Sequence, residues 1–226
     1  MAVRGYRIYR DYGIFGTGSV NMDDVKIIRG AEAVITPGEF LGRRALVKTR
    51  PAKAYRHPDL DRHIRSVRTR NEARLIHEER LAGVRTPCIY DIDLKECSIT
   101  MELLEGTPVK EVLDEHPECA EEVCRKIGRT VARMHSAGIC HGDLTTSNMI
   151  LVGGEVCLIY FSMGCTRAEV EDIGVDMRLL ERAFTSAHIE FSDAFDALME
   201  EYYANVPEPK QIRKKIEDIR NRGRYT

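Results

Sequence analysis

The sequence predicts an α+β protein in which a small β-rich lobe precedes a larger α-helical lobe. Short apolar runs separated by glycine and proline dominate the first part of the chain, whereas apolar residues further on recur at intervals of three and four. With 226 residues, 43% of them hydrophobic, the chain can bury a substantial core as one domain or one domain of two lobes. It contains no long uncharged apolar run, so we expect no membrane-spanning helix.

The small lobe is predicted over residues 22 to 104. Three short apolar runs predict an antiparallel sheet: VKII (25 to 28), AEAVI (31 to 35) and RALVK (44 to 48). The predicted breaks between the strands are Gly30, Pro37-Gly38 and Gly42. A polar segment rich in Arg and His follows, and its second half is typical of a helix that ends at Gly83. The run SITMEL (98 to 103) predicts one more strand.

The larger lobe is predicted over residues 105 to 219. An amphipathic helix is indicated by the spacing of Ala120, Val123, Ile127, Val131 and Met134. Gly153-Gly154 separates MILV from EVCLIY and predicts a tight hairpin, because glycine adopts the positive φ angles of such a turn. Helical spacing returns in three later sets: Met177, Leu180 and Phe184; Phe191, Phe195, Leu198 and Tyr202; and Ile212, Ile216 and Ile219.

Two terminal segments stand apart from the predicted lobes. Residues 1 to 21 form a leader of unknown role, since Met22 would serve as an independent start. They lack an apolar secretory segment, and the seven cysteines form no CxxC pair, so we expect reduced thiols and a cytoplasmic protein. Residues 220 to 226 form a basic tail in which Arg220, Arg222 and Arg224 flank Gly223. Such cations bind RNA phosphates, or they simply form a solvated helix end.

Four polar residues match the needs of phosphoryl transfer, which requires neutralised phosphates, hard oxygen ligands for a metal ion and an oriented attacking group. Lys48 ends the strand ALVK, where its ammonium would reach phosphates, and Glu72 on the next predicted helix would orient Lys48. In HGDLTTSN, Asp143 would orient or deprotonate the attacking group, and Asn148 would offer an amide oxygen to Mg²⁺. Taken singly, each is an ordinary strand-end, helix or turn residue, but their order along the chain favours a catalytic set.

Two glycine-containing segments are candidates for a phosphate-binding loop. Gly16-Thr17-Gly18 begins like GxGxxG but reaches Asn21 instead of a third glycine, and no predicted strand precedes it. Gly30 is better placed, between two predicted strands and 18 residues before Lys48. Its neighbourhood would bind phosphates through backbone N–H groups, or Gly30 is a plain hairpin glycine, and both interpretations stay open.

Several of these segments together resemble a known family. HGDLTTSNMIL, KAYRHPDLD, RTRNEARL and RNRGR resemble the small atypical kinase of the KEOPS complex, which is related to the RIO kinases and is known in higher organisms as the p53-related protein kinase. The resemblance covers about residues 22 to 226. It implies a reduced protein-kinase-like bilobal fold that acts as an ATPase or Ser/Thr kinase with ATP and Mg²⁺.

The resemblance also implies a biological setting. The KEOPS complex makes threonylcarbamoyladenosine in tRNA, and the implied partners are its tRNA threonylcarbamoyltransferase subunit, a small regulatory subunit and tRNA. We expect the adenine to pack at a hinge that includes Met101, Glu102 and Leu103, and the resemblance implies a shortened phosphate-binding loop at Gly30.

Two features depart from ordinary protein kinases. Only 16 residues separate position 160 from Asp176, without an A-P-E motif, so we expect no long activation segment. Asp176 resembles the helix-borne aspartate that accepts hydrogen bonds from the catalytic-loop backbone, although capping its own helix is a second role that is compatible with the first.

The second departure is Tyr160. Family members would read IDFG or IDFS, whereas this chain reads IYFS. A phenol with a pKa of about 10 is neutral at pH 7 and a poor Mg²⁺ ligand, which leaves Asn148 nearly alone unless Glu171 or Asp172 substitutes. The leading hypothesis is therefore an ATPase or kinase that Tyr160 impairs. One alternative is a catalytically disabled scaffold. The other is a small-molecule kinase of aminoglycoside type, which is disfavoured because the sequence has no extended acidic subdomain after residue 190.

Overall fold

The computed structural model describes residues 27–222, so the predicted leader, the first two residues of the run VKII, Gly223 and Arg224 lie outside the described residues. Within that range the chain forms two compact units. Unit 1 comprises residues 27–77 and 87–107, and unit 2 comprises residues 78–86 and 108–222. We expected the division after residue 104, and nothing in the sequence predicted that residues 78–86 group with the helical unit.

Unit 1 is built on a five-stranded antiparallel sheet with the order β1-β2-β3-β5-β4. The strands are β1 (Ile28–Arg29), β2 (Val34–Phe40), β3 (Arg43–Thr49), β4 (Ile89–Asp93) and β5 (Ser98–Glu102). Leu46 on β3 and Ile99 and Met101 on β5 share one buried face of the sheet, and Ala45, which points to the opposite face, is also buried. Sequence analysis missed β4, because its alternating carboxylates hide the apolar pattern.

The predicted break at Pro37-Gly38 is wrong. Both residues lie inside β2, where Pro37 is opposite Leu46 and Gly38 is opposite Ala45. Proline is tolerated there because the described part of β1 pairs only with Val34 and Ile35, which leaves the rest of β2 at a sheet edge. Glycine is needed because a Cβ at position 38 would lie 2.7 Å from the Val47 side chain.

The first helix, α1 (Pro58–Leu81), is longer than predicted. It begins with proline at its first position and has Asp59 and Asp61 in its first turn, which is typical of a helix N-terminus. Its polar first half hid it from a search for apolar spacing. The predicted end is confirmed, since Gly83 follows the helix with a φ of 78°.

Unit 2 is mainly helical. Its helices are α2 (Val109–Glu115), α3 (Ala120–Ser136), α4 (Val170–Ala187), α5 (Ser192–Asn205) and α6 (Pro209–Arg222). Helix α3 packs on α5, and α4 packs on α6. The core includes the predicted residues Ile127, Met134, Leu180, Phe184 and Leu198, all of which are buried. No helix in the described range 27–222 is long and apolar enough to cross a membrane.

The predicted Gly-Gly hairpin is confirmed. Strands β8 (Met149–Val152) and β9 (Glu155–Leu158) are antiparallel, and the two glycines between them have φ angles of 56° and 85°. Three further short strands are β6 (Thr107–Pro108), β7 (Ile139–Cys140) and β10 (Cys165–Thr166), of which β7 and β10 pair with each other. The segment that follows β7 carries HGDLTTSN, and the hairpin follows it directly.

Candidate functional site

The structure brings Lys48 and Glu72 together inside unit 1. Lys48 lies on β3, opposite Ile35 and Ile99, and its ammonium contacts Glu72 Oε1. Arg50, two residues further along the chain, donates to Glu72 Oε2 at 2.6 Å. The three side chains are nearly inaccessible, with 7%, 2% and 4% of their surfaces exposed for Lys48, Glu72 and Arg50.

The electrostatics of this cluster hold Glu72 in its charged form. Burial alone would raise the pKa of Glu72, but the charges and hydrogen bonds of Lys48 and Arg50 outweigh burial and leave the pKa below its ordinary value. Because two cations share one carboxylate, the cluster carries one net positive charge. Burying three ionised groups is costly, so such a cluster is better evidence for a functional site than for stability.

The predicted adenine-binding residues lie at the end of β5 in unit 1. Met101 is buried, and Leu103 is half-buried just after the strand. Glu102 is fixed to the chain before β4 in two ways: its backbone N–H donates to Cys88 O at 2.8 Å, and its carboxylate accepts from Cys88 N at 2.9 Å. This double attachment makes the strand end a rigid element.

Gly30 lies in the turn between β1 and β2, as the sequence predicted. Its N–H donates to Ala33 O at 2.9 Å, so this amide closes the turn. The geometry matches a plain hairpin, and any phosphate contact at this turn would need other N–H groups.

Unit 2 places Asp143 and Asn148 side by side. In the HGD loop, which we define as residues 141–148, Asn148 Nδ2 donates to the Asp143 carbonyl at 2.7 Å and to Asp143 Oδ2 at 2.9 Å. Asp143 is exposed and Asn148 is half-buried. Because the side-chain nitrogen of Asn148 donates to Asp143, its side-chain oxygen Oδ1 is the atom that could contact a metal ion.

Asp176 holds the backbone of the HGD loop from within α4. Its carboxylate accepts from the backbone N–H groups of His141 at 2.7 Å and Gly142 at 2.9 Å. Gly142 is irreplaceable here, because its φ is 77° and a Cβ would lie 2.3 Å from Met163 O. The alternative cap role is wrong, since Asp176 lies in the second turn of α4 and the capping box is formed by Glu169 and Asp172.

Two buried histidines support the same loop. His135 on α3 lies 2.8 Å from Tyr202 Oη on α5 and 3.3 Å from Asp176 Oδ2. Burial alone would raise the pKa of Asp176, but the hydrogen bonds and charges that it receives from His135 and His141 leave the pKa below its ordinary value. His188, after α4, lies 3.0 Å from Thr146 Oγ1. The loop is therefore anchored from α3, α4 and α5.

Comparisons with known proteins identify the family of this chain. Residues 39–203 match the Lipopolysaccharide kinase (Kdo/WaaP) family. The chain is 41% identical over 212 residues to the KEOPS complex subunit Bud32 of Pyrococcus abyssi, a match that covers 89% of this chain and 96% of that protein. The chain belongs to the Kdo/WaaP-type kinase family and is a relative of the Bud32 subunits.

Two more similarities define the extent of this relationship. A probable bifunctional tRNA threonylcarbamoyladenosine biosynthesis protein of Methanothermobacter thermautotrophicus is 40% identical over 201 residues, which are 88% of this chain but 36% of that protein. The chain thus spans little more than a third of the bifunctional relatives. The fold matches the Rio2 kinase of Chaetomium thermophilum with a TM-score of 0.62 and 14% identity, covering 89% of this chain and 71% of that structure. The bilobal kinase-like fold is confirmed.

Tyr160 has a backbone conformation that is unusual for a bulky residue. It follows β9 with a φ of 68°, in the left-handed region where aspartate, asparagine and glycine are tolerated better than a bulky residue. The next residue, Phe161, is fully buried and packs on the His141 ring with 4.8 Å between ring centres. The backbone conformation at position 160 therefore suits the residue that the family pattern predicts better than it suits tyrosine.

Among the described residues of unit 2, Asn148 and Tyr160 stand at the positions that sequence analysis assigned to Mg²⁺ binding. Asn148 supplies one amide oxygen, and Tyr160 supplies a phenol instead of a carboxylate. Neither suggested substitute is free: Asp172 Oδ2 accepts from Glu169 N at 2.9 Å, and Glu171 is paired with Lys215 and Arg222. Both carboxylates already take part in contacts at the start of α4, so metal binding by either one would compete with those contacts.

The structure changes the description of the basic tail. Arg220 and Arg222 are part of helix α6, which ends at Arg222, and each pairs with a carboxylate on α4. Arg220 lies 2.8 Å from Glu181, and Arg222 lies 2.6 Å from Glu171. The predicted separate tail from residue 220 is therefore wrong for these two arginines, whose charges attach α6 to α4. Arg224 lies outside the described residues.

Sequence analysis missed several residues that shape the site. Arg50 shares Glu72 with Lys48, and His135 and His188 hold the HGD loop. A signal for Arg50 was present, because residues two apart on a strand point to the same face, so Arg50 shares a side with Lys48. No comparable signal existed for the histidines, whose partners lie far away in sequence.

Proposed function

We propose that this chain is an ATP-dependent phosphotransferase or ATPase that acts in a KEOPS complex. The observation that carries this proposal is the buried Lys48–Glu72 pair with its second cation, Arg50. A buried cluster with one net positive charge is suited to neutralising phosphates, which phosphoryl transfer requires. The similarity to a Bud32 subunit along 96% of its length supports the complex.

Each predicted residue takes one role in this proposal. Lys48 neutralises phosphate charge, and Glu72 holds the Lys48 ammonium in place. Asp143 orients the attacking hydroxyl or water, with Asn148 fixing its carboxylate. Adenine packs against the end of β5, which carries Met101, Glu102 and Leu103. A protein serine or threonine is the proposed acceptor in the kinase form of the reaction, and water is the acceptor in the ATPase form.

The proposed setting is the synthesis of threonylcarbamoyladenosine in tRNA, in the cytoplasm. The names of the relatives support it, since one is a KEOPS subunit and another is a tRNA threonylcarbamoyladenosine biosynthesis protein. We propose the tRNA threonylcarbamoyltransferase subunit and a small regulatory subunit as partners, and tRNA as a ligand of the region around Arg220, Arg222 and Arg224. Because Arg220 and Arg222 already pair with carboxylates, tRNA would compete with those ion pairs.

A second candidate function is a scaffold without catalysis. The observation that favours it is Tyr160, a neutral side chain at the position where the family pattern has a metal-binding aspartate. In this function the chain holds its partner subunit and tRNA, and the HGD loop is a structural remnant.

Restoring the aspartate separates the two functions. We expect Tyr160→Asp to raise Mg²⁺-dependent ATP hydrolysis, because it returns a carboxylate to a backbone position that favours one and leaves Asp143 and Asn148 unchanged. The measurement is ATP hydrolysis by both forms across a Mg²⁺ titration, with and without tRNA and the threonylcarbamoyltransferase subunit. Tyr160→Phe is the matched control, since it keeps the ring and adds no ligand.

The outcomes of this experiment differ clearly. A gain in Tyr160→Asp alone supports an impaired catalytic site. Hydrolysis that is equal in all three forms shows that position 160 does not bind the metal. No hydrolysis in any form, combined with retained binding of the partner subunit and tRNA, favours the scaffold.

A further inference from the structure

Unit 1 contains a cavity of ≈ 660 Å³ that is lined mainly by cationic residues. Its walls come from the chain at the end of β3 (residues 49–52), from Arg62 and Arg65 on α1, and from Lys95 and Glu96 in the turn between β4 and β5. Including Arg50, four of the lining residues are cations and one is an anion. Lys48 does not line this cavity, so it is distinct from the phosphate position proposed above.

The four cations differ in whether their side chains already have hydrogen-bond or ion-pair partners. Arg50 is bound to Glu72, and Arg65 donates to Asp61 at 2.7 Å and to the Arg50 carbonyl at 3.2 Å. Arg62 and Lys95 are exposed, and neither side chain makes an ion pair or hydrogen bond with any residue in the range 27–222. Two exposed cations whose side chains make no ion pair or hydrogen bond in that range therefore face the same cavity from different elements, and the charge of Lys95 acts only weakly on Asp93.

The walls of the cavity are held in place before any ligand arrives. The Arg65 side chain connects α1 to the backbone at Arg50, and Arg50 N donates to Cys97 O at 3.0 Å, next to the β4–β5 turn. That turn is itself closed by Asp93 Oδ1, which accepts from Lys95 N at 2.8 Å and Glu96 N at 3.0 Å. A preformed wall lowers the ordering cost of binding.

We propose that this cavity binds a small anionic ligand through its phosphate groups. Guanidinium and ammonium donors that converge from two elements match phosphate oxygens, and the volume lies within the usual range for small-molecule sites. Glu96 also lines the cavity, and its negative charge repels an anionic ligand, so it weakens binding, the more so the higher the negative charge of the ligand.

The bound anion would join α1 to the sheet. Arg62 and Arg65 lie on α1, whereas Lys95 lies in the β4–β5 turn, so a phosphate between them bridges the two elements. The same helix carries Glu72, whose carboxylate holds Lys48 and Arg50. Ligand binding therefore stabilises the position of α1 in unit 1.

The experiment measures pyrophosphate binding to the full chain by calorimetry, without Mg²⁺ and at constant ionic strength. The test variant is the double substitution Arg62→Gln with Lys95→Gln, which removes two exposed cations whose side chains form no ion pair or hydrogen bond in the range 27–222 and keeps the backbone N–H of residue 95 that closes the turn. Arg70→Gln is the matched control, because Arg70 is an exposed arginine of α1 that does not line the cavity. Glu96→Gln is a second variant with the opposite expectation.

We expect affinity to fall by roughly tenfold for each cation removed, the usual size of one hydrogen bond to a charged group. Arg70→Gln should change affinity by less than about twofold, because its charge is screened by salt and solvent. Glu96→Gln should tighten binding. Pyrophosphate should also slow hydrogen exchange along α1 in the natural sequence and not in the double variant.

Three results would overturn the proposal. One is the absence of saturable pyrophosphate binding. Another is an equal loss of affinity in Arg70→Gln and in the double variant, which would indicate nonspecific attraction. The third is binding of a short single-stranded RNA that depends on Arg62 and Lys95 while pyrophosphate does not bind, since the cavity would then be a nucleic-acid contact and not a small-anion site.

Discussion

Glu72 and Glu79 lie on the same helix, α1, and both are buried, yet their surroundings have opposite effects. Glu72 is 2% exposed and is bound by Lys48 and Arg50. Glu79 is fully buried, and neither carboxylate oxygen has a hydrogen-bond partner among the described residues. The pKa of Glu72 is lowered because the two cations outweigh burial, whereas burial and the charge of Asp176 raise the pKa of Glu79 well above its ordinary value.

The comparison shows that burial alone does not assign a role to a carboxylate. Glu72 is ionised and fixes two cations, so it belongs to a charged site. The raised pKa of Glu79 favours the protonated form, which avoids the cost of a buried charge without a cation. Four substitutions sharpen or break this distinction.

Glu72→Gln should have the largest effect on stability. It removes the carboxylate that Lys48 and Arg50 share and leaves a neutral amide between two buried cations. Breaking a buried ion pair in this way costs about 3–5 kcal/mol, which urea denaturation would measure. Glu79→Gln is the matched control: because glutamine resembles the protonated acid and does not titrate, we expect stability at neutral pH to be unchanged or increased. Equal losses at the two positions would contradict the comparison.

Lys48→Ala separates the chemical role of the cluster from its structural role. In a chain that also carries Tyr160→Asp, we expect turnover to fall at least about tenfold, because removing one contact to transition-state charge typically costs about 2.7–4 kcal/mol. The fold should survive, since Arg50 still neutralises Glu72. ATP hydrolysis and circular dichroism of the same samples measure the two effects. Unchanged turnover in a folded protein would remove Lys48 from the site.

The pH dependence of stability should report the proton on Glu79. Since its folded pKa is raised above 4.5, its unfolded carboxyl ionises first, and folding retains a proton that the unfolded chain releases. Stability from Glu79 is thus fully present below the unfolded pKa and is lost as pH rises through the folded pKa, by up to about 1.4 kcal/mol per pH unit. Denaturation midpoints from pH 5 upward, at about unit intervals, should fall more steeply in the natural sequence than in Glu79→Gln. Parallel curves would show that Glu79 is ionised in the fold.

Arg222→Gln should have the smallest effect, because its ion pair with Glu171 is exposed. We expect no measurable change in the urea midpoint, in contrast to Glu72→Gln. If Arg222 contacts a tRNA phosphate, the salt dependence of tRNA binding should be weaker in Arg222→Gln: the slope of log affinity against log salt should become less negative by about one. An unchanged slope would show that Arg222 does not contact tRNA phosphate and that its charge serves only the ion pair with Glu171 on α4.

Much of the fold could be predicted because its signals are local. The spacing of Ile127, Val131 and Met134 predicted α3, and Gly153-Gly154 predicted the hairpin, since periodicity and turn chemistry depend on neighbouring residues. Strand β4 and the first half of α1 were missed because charged residues obscure their apolar pattern. The break at Pro37 was predicted wrongly because a proline at a sheet edge is tolerated, and the sequence does not state which strands are edges.

The candidate site, like the fold, has one part that could be predicted from the sequence and one part that could not. The order of Lys48, Glu72, Asp143, Asn148 and Tyr160 predicted, by itself, the kind of chemistry to expect and the position at which the chain departs from the expected pattern. Only the tertiary structure decided that Arg50 shares Glu72, that Asp176 holds the HGD loop instead of capping α4, and that Glu171 and Asp172 have other partners. The physical reason is distance along the chain. Side-chain partners that are tens of residues apart meet only once strands and helices have packed, and the charge state of a buried group depends on those partners.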